Sequence, residues 1–259
     1  MKTRVRKMVV QTKQELIKEF LYLFSASRPR KILFDHLPKC GGSSLNAYLE
    51  AHYPKRKTFS TDGLNPDASV NEFRKLSQRE RYGYDLVKGH LAHKLLNYVH
   101  PECLKVTVFR EPVERVVSHY YYAKRTPEHY LYSKIHQSQM SLEDYVTSNL
   151  SGEVRNWYTS HFAGLLAEKA ETRPEESITR AFEVVLKRFD IIGFLDDFSL
   201  FVETLRKEAK LRYEYQNEKI NITEERPGLN DIDRSILGKI EEINQLDIAL
   251  FRRIRNAVG

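Results

Sequence analysis

The chain has 259 residues, 41% of them hydrophobic and 30% charged, a balance that supports a buried core and excludes a disordered polymer. Its formal net charge of +7 suits a polyanionic partner (nucleic acid, anionic lipid, acidic glycan or a phosphorylated cofactor) or is simply a solvated excess of Lys and Arg. Two cysteines far apart in sequence, Cys40 and Cys103, exclude a disulfide framework or a thiolate metal cluster and suit a reducing compartment.

In chain order, the basic start MKTRVRKMVV lacks the apolar core and small-residue cleavage site of a secretory leader. No run reaches the roughly 20 apolar residues of a membrane span, so a cytoplasmic location is expected. The sequons at Asn149 and Asn221 matter only in a secreted protein. Residues 14–27 place Leu16, Ile17, Phe20, Leu21, Leu23 and Phe24 at helical spacing, an amphipathic helix with a broad apolar face. Such a helix usually packs on its own domain, and it also suits peripheral contact with a membrane or a partner. Residues 31–38 read as a short strand ended by Pro38, followed by the Gly41-Gly42 turn and a helix over 43–50 with a serine N-cap. Residues 54–67 read as loop, 68–80 as helical, and 84–88 as a short strand ending at Gly89-His90. Residues 104–109 form a buried-type strand that runs into Arg110-Glu111-Pro112. Pro112 suits the first turn of a helix striped with Val113, Val116, Val117 and Tyr120. Residues 141–148, 175–188, 196–212 and 231–255 read as mostly helical, with a strand at 190–194 among them. Alternating strands and helices imply an α/β fold whose parallel sheet is covered on both faces. No repeat or domain boundary stands out. A single domain is expected, with an N-terminal helix in 1–30 and an α/β core over 31–259.

Two segments carry chemistry. Pro38-Lys39-Cys40-Gly41-Gly42-Ser43-Ser44 lies where a strand hands over to a helix. Its glycines allow a tight turn that aims N–H groups at one point, and the helix N-terminus behind them favours a phosphate. Ser43 and Ser44 add hydroxyl donors and Lys39 a full charge; an ordinary βα turn is the plain alternative. The triphosphate-binding pattern GxxxxGK[ST] is absent, and no acidic pair is placed to hold Mg²⁺, so no metal is expected. In the second segment Arg110 stands at a strand's C-terminal end, and Ser118 follows two helical turns on. Arg and Ser together suit a phosphate clamp, against the alternative that Arg110 only pairs with Glu111 or Glu114.

Together the segments resemble the sulfotransferase superfamily that uses 3′-phosphoadenosine-5′-phosphosulfate (PAPS), especially its carbohydrate O-sulfotransferase-like branch, sulfotransferase family 2. The pattern HxPKTGGTSL is matched by His36-Leu-Pro38-Lys39-Cys40-Gly41-Gly42-Ser43-Ser44-Leu45, and RDPVERxxSxY by Arg110-Glu111-Pro112-Val113-Glu114-Arg115-Val116-Val117-Ser118-His119-Tyr120. The resemblance is strong over 31–120, weaker over 180–205 and slight elsewhere. It implies a P-loop-like sulfotransferase fold in which residues 39–44 hold the 5′-phosphosulfate and Arg110 with Ser118 the 3′-phosphate. It also implies a role for Gly89-His90. Two departures stand out: Cys40 replaces a usual Thr, and Lys88 stands where uronyl-directed relatives carry a second His.

From that resemblance, Lys39 is expected to neutralise the departing 3′,5′-diphosphoadenosine (PAP), with the N–H groups of 41–44 on the 5′-phosphate. His90 is the expected base for the acceptor hydroxyl, although a lone His after a strand is often structural. His36 and His93 are lesser candidates, and His119 has no expected direct role. Tyr120, Tyr121, Tyr122 and Trp157 stack on a ligand or simply fill core. In relatives a loop like 221–227 closes over the nucleotide, which makes Arg226 a further phosphate contact. A glycan hydroxyl is the expected acceptor; lipid, small alcohol and tyrosine stay open. The alternatives are a non-catalytic nucleotide- or nucleic-acid-binding protein of P-loop-like fold, and a kinase-like phosphotransferase.

Overall fold

Three short runs of buried residues, ILFD, LVKG and LKVTVF, become the central strands of a sheet, as continuous burial rather than alternation predicts for parallel strands. The computed structural model describes residues 15–24, 28–216 and 227–259. A helix over 15–24 (α1) precedes β1 (Ile32–Asp35), α2 (Gly42–Glu50), β2 (Thr58–Ser60), α3 (Pro66–Lys75), α4 (Gln78–Gly83), β3 (Leu86–Gly89) and β4 (Leu104–Phe109). Then come α5 (Pro112–Arg125), α6 (Tyr132–Gln137), α7 (Leu142–Thr147), α8 (Trp157–Ala163), α9 (Ala167–Thr172) and α10 (Pro174–Arg188). The chain closes with β5 (Ile191–Phe194), α11 (Phe198–Glu208), α12 (Arg234–Ile243) and α13 (Gln245–Val258). The fold is α/β with a five-stranded parallel sheet in the order β2-β3-β1-β4-β5. β1 is central: Asp35 pairs with Gly89 of β3 and Thr107 of β4.

Two compact units divide the residues. The first takes those up to Leu37, Gly41–Val108 and those from Asp190 as far as 216; the second takes Pro38–Cys40, Phe109–Phe189 and the C-terminal helices. Ile32, Phe34, Leu45, Leu49, Val106, Val108 and Leu205 build the core of the first. Val113, Val116, Val117 and Tyr120, the expected stripe of α5, are buried in the second with Ile135, Tyr145 and Ile240. Pro112 stands at the first turn of α5 as expected, and the Glu111 carboxylate caps it by accepting the Glu114 N–H at 2.8 Å.

Several local expectations change. The cap of α2 is Gly41, at φ 78°, not a serine; Ser43 already lies inside the helix. The loop at 54–67 contains the edge strand β2, three residues too short and too exposed to show any periodicity. The helical stretch at 68–80 is two helices, because Ser77 and Glu80 form a capping box that starts a second one. The stretch at 231–255 breaks at Asn244, whose buried amide donates to the carbonyls of Val154 and Ile240, both at 2.9 Å. α1 forms as expected within 14–27. The apolar side does not pack on the protein, however: Leu16, Ile17, Phe20, Leu23 and Phe24 are exposed.

The second unit is organised around a buried charge pair. Arg115 and Asp247 are both fully buried, with Nη2 and Oδ2 4.0 Å apart. The Asp247 carboxylate also accepts the N–H groups of Tyr158 and Thr159, each at 2.8 Å, and so caps α8. Burial still pushes the Asp247 carboxyl up from its ordinary pKa. Replacing Asp247 with Ala leaves Arg115 buried without its counter-charge. The expected loss is about 3–5 kcal/mol of stability, read as a lower urea midpoint at unchanged slope; a midpoint within error of the parent would contradict this account.

Candidate functional site

The sheet order fixes where the motifs emerge. The connection after β1 leads to β2 on one side of the sheet, whereas the chain after β4 leads to β5 on the other. Open α/β sheets take ligands outside the carboxyl ends of strands at such a reversal. The loop 36–44 leaves β1, Arg110 leaves β4, and His90 leaves β3, the other neighbour of β1.

In the first unit, the start of α2 is shaped for close approach. A Cβ on Gly41 would meet Leu195 Cδ1 at 2.7 Å, and one on Gly42 would fall 1.8 Å from the His36 ring. No side chain caps α2, so the N–H groups of its first turn point outward without an intrahelical acceptor. Ser43 is exposed and Ser44 half-buried on this turn. The His36 ring stacks on Phe34 and on His90, with centroids 5.7 and 4.4 Å apart, and its Nδ1 lies 3.3 Å from Asn46 Nδ2. His36 therefore supports the loop from below.

His90 is held just past the end of β3. Gly89 before it sits at φ 123°, and a Cβ there would strike Thr61 Oγ1 at 2.2 Å. That hydroxyl donates to the His90 carbonyl at 2.8 Å. His90 Nδ1 lies 2.7 Å from the His36 carbonyl. A carbonyl only accepts, so Nδ1 carries the proton and Nε2 of the neutral ring is the basic nitrogen. His93 instead sets its Nδ1 3.5 Å from the buried Asp35 carboxylate. Lys88 is buried and its Nζ pairs with Glu50 at 2.8 Å.

In the second unit, Lys39 and Cys40 meet Arg110. Lys39 takes φ 65°, a left-handed turn uncommon for a residue with a side chain. Its carbonyl accepts from Arg110 Nη1 at 3.3 Å, while Arg110 Nε and Nη2 donate to Glu114 Oε2 at 3.2 and 2.8 Å. The expected pairing with Glu114 thus coexists with a contact to the other motif. Lys39 Nζ lies 3.5 Å from the Tyr122 ring centre. Burial, then the positive charges of Arg125 and Arg110, lower the Lys39 pKa to about 7. Ser118 is buried on α5, two turns beyond Arg110. His119 is buried, with Nε2 3.0 Å from Glu153. Arg226 lies outside the described residues.

Tyr158 is the residue that sequence reasoning did not single out. Its hydroxyl accepts the Arg110 N–H at 3.2 Å, donates to the Arg110 carbonyl at 3.0 Å, and lies 3.1 Å from Cys40 Sγ. Burial pushes the Cys40 thiol up, so it is a protonated partner of Tyr158 and not a nucleophile. Its side chain faces the interior, which leaves its backbone for any ligand contact. Trp157 is half-buried beside Arg115, whose Cζ lies 5.4 Å from its ring centre. Tyr120 is core, its hydroxyl donating to the Met140 carbonyl at 2.7 Å. Tyr158→Phe keeps the ring but strips both Arg110 backbone groups of a partner. Stability should fall by about 1–3 kcal/mol in thermal melts, and an unshifted melting curve would remove the proposed grip.

Among curated proteins, no match to the chain is found. A profile of the sulfotransferase family matches residues 23–252, which includes both motif segments, His90 and all five strands. The match covers well over half of the sequence and agrees with the parallel α/β sheet and with the placing of the motif loops at its carboxyl edge. The chain therefore belongs to the sulfotransferase family.

Proposed function

We propose that the protein moves the sulfuryl group of PAPS to a hydroxyl on a carbohydrate, releasing PAP. The observation that carries this reading is the Arg110 guanidinium 3.3 Å from the Lys39 carbonyl, which joins the two anion-binding motifs. The donors fit a nucleotide with an anionic group at each end. Lys39 and the α2 N-terminus, which no side chain caps, supply one set, and Arg110 and Ser118 the other.

In this mechanism the N–H groups of Gly42, Ser43 and Ser44 hold the 5′-phosphate, with the Ser43 and Ser44 hydroxyls beside them. Cys40 and Gly41 shape the turn. Arg110 turns its fork from Glu114 to the 3′-phosphate, joined by the Ser118 hydroxyl, and Arg226 is a further phosphate contact. His90 Nε2 takes the acceptor proton as the acceptor oxygen bonds to sulfur, and the bond from sulfur to the 5′-phosphate oxygen breaks. Lys39 meets the charge that develops on that oxygen. Positioning and charge stabilisation supply most of the acceleration in such transfers. The carbohydrate acceptor rests on the likeness of both motifs to the carbohydrate-directed branch and on the basic surface. Lys88, buried against Glu50, argues against a uronyl acceptor handled by a second His.

The test is transfer of radiolabelled sulfate from PAPS across a panel of glycans, lipids, small alcohols and tyrosine peptides, with calorimetric titration of PAP, ATP and duplex DNA. Preference for PAP and labelling of a glycan support the reading. Preference for ATP or DNA, without sulfate transfer, would replace it with a binding protein. Arg110→Ala should weaken PAP binding about 10–100-fold. His90→Ala should lower kcat about 10²–10⁴-fold at unchanged PAP affinity, and undiminished turnover removes His90 as the base.

The lowered Lys39 pKa gives a pH signature. With a pKa near 7 in the free protein, Lys39 is largely neutral above that value. A bound anion favours the ammonium and raises its pKa, so binding takes up a proton above pH 7. PAP affinity should therefore fall as pH rises through 7, by up to about tenfold per unit. Calorimetry in buffers of different ionisation enthalpy should report the uptake, and Lys39→Met should abolish it. Uptake that survives in Lys39→Met would assign the proton to another group.

A further inference from the structure

The helix α1 is turned the wrong way round for an ordinary surface helix. Its polar residues hold it to the first unit: Glu15 Oε1 accepts the Lys55 N–H at 2.6 Å, Glu19 pairs with Arg56 Nε at 2.9 Å, and the Tyr22 hydroxyl donates to Asp85 at 2.6 Å. From the other side, Arg212 Nη2 donates to the Leu21 carbonyl at 3.1 Å. Its apolar residues face away from the body. Leu16, Ile17, Phe20, Leu23 and Phe24 are 44–72% exposed, and the Phe20 and Phe24 rings touch, with centroids 4.7 Å apart. Five large apolar side chains on one short helix make a contiguous patch of the kind that marks an interaction site.

The surrounding charge says what covers it. Residues 1–14 carry Lys2, Arg4, Arg6, Lys7 and Lys13 and no Asp or Glu. Arg28 and Arg30 follow the helix and are exposed, as are Lys55 and Arg56 on the turn that tethers it. A small cavity at the base of α1 is lined by Lys18, Lys210, Arg212 and neutral side chains, with no carboxylate in its wall. Apolar residues flanked by basic ones are the composition of a segment lying in the headgroup region of a bilayer. The apolar side chains enter the acyl boundary and the cations meet lipid phosphates. No described helix is long and apolar enough to cross a membrane.

We infer that α1, with the basic residues around it, docks the protein onto an anionic lipid bilayer. The inference goes beyond the sulfuryl-transfer reading and does not depend on it, since the test reads vesicle binding and not turnover. Full-length protein is sedimented with vesicles of phosphatidylcholine alone and with vesicles in which about a third of the lipid is phosphatidylserine. Binding should be strong only on the anionic vesicles and should weaken at high salt. Phe20→Ser/Phe24→Ser alters two exposed side chains, so its melting temperature should match the parent, while its partitioning onto anionic vesicles falls by at least about tenfold. Lys210→Glu should weaken binding to the anionic vesicles as well. Equal binding by parent and double variant, or equal binding to both vesicle types, overturns the inference. So does a parent dimer in sedimentation velocity that the double variant dissociates, because the patch then belongs to a second copy of the chain.

Discussion

A guanidinium that reaches across to the carbonyl of another loop orders the candidate site. Arg110 can make this contact with Lys39 because its own backbone is gripped on both sides by the Tyr158 hydroxyl. Tyr158 is in turn fixed by the start of α8, whose N–H groups at Tyr158 and Thr159 donate to the Asp247 carboxylate. Asp247 stays in its buried position against Arg115. The order thus runs from Arg115 through Asp247 and Tyr158 back to Arg110, five residues before Arg115 in the chain. One short motif supplies both the arginine that reaches the Lys39 carbonyl and the arginine buried to hold it there.

This division of labour explains what the sequence did and did not disclose. β4 and the first turn of α5 were legible to the residue, because LKVTVF is a continuous apolar run and Pro112 can only start a helix. The two motifs were legible through their joint resemblance to the sulfotransferase patterns, since a glycine pair at a βα turn is common by itself. Asp247 and Tyr158 carried no local signal. Each lies about 50 to 140 residues from Arg110 in sequence, and a buried carboxylate looks like any surface one until the fold closes on it. The break at Asn244 was hidden for the same reason: its partner carbonyl at Val154 is ninety residues away. For α1 the periodicity was right and the direction was not, since spacing shows that a helix has an apolar side but not which side its tethers take.

The site also shows how a fold tolerates a cluster of cations. Lys39, Arg110 and Arg125 repel one another, and burial adds to the cost of charging Lys39. Two local devices offset this. Glu114 occupies the Arg110 fork with two hydrogen bonds, and the Tyr122 ring faces the Lys39 ammonium. The third device is the proton itself: with a pKa near 7, Lys39 carries only part of a full charge at neutral pH. Protonation of Lys39 is thus tied to what lies beside it: burial and two guanidinium groups oppose its charge, and one aromatic ring favours it.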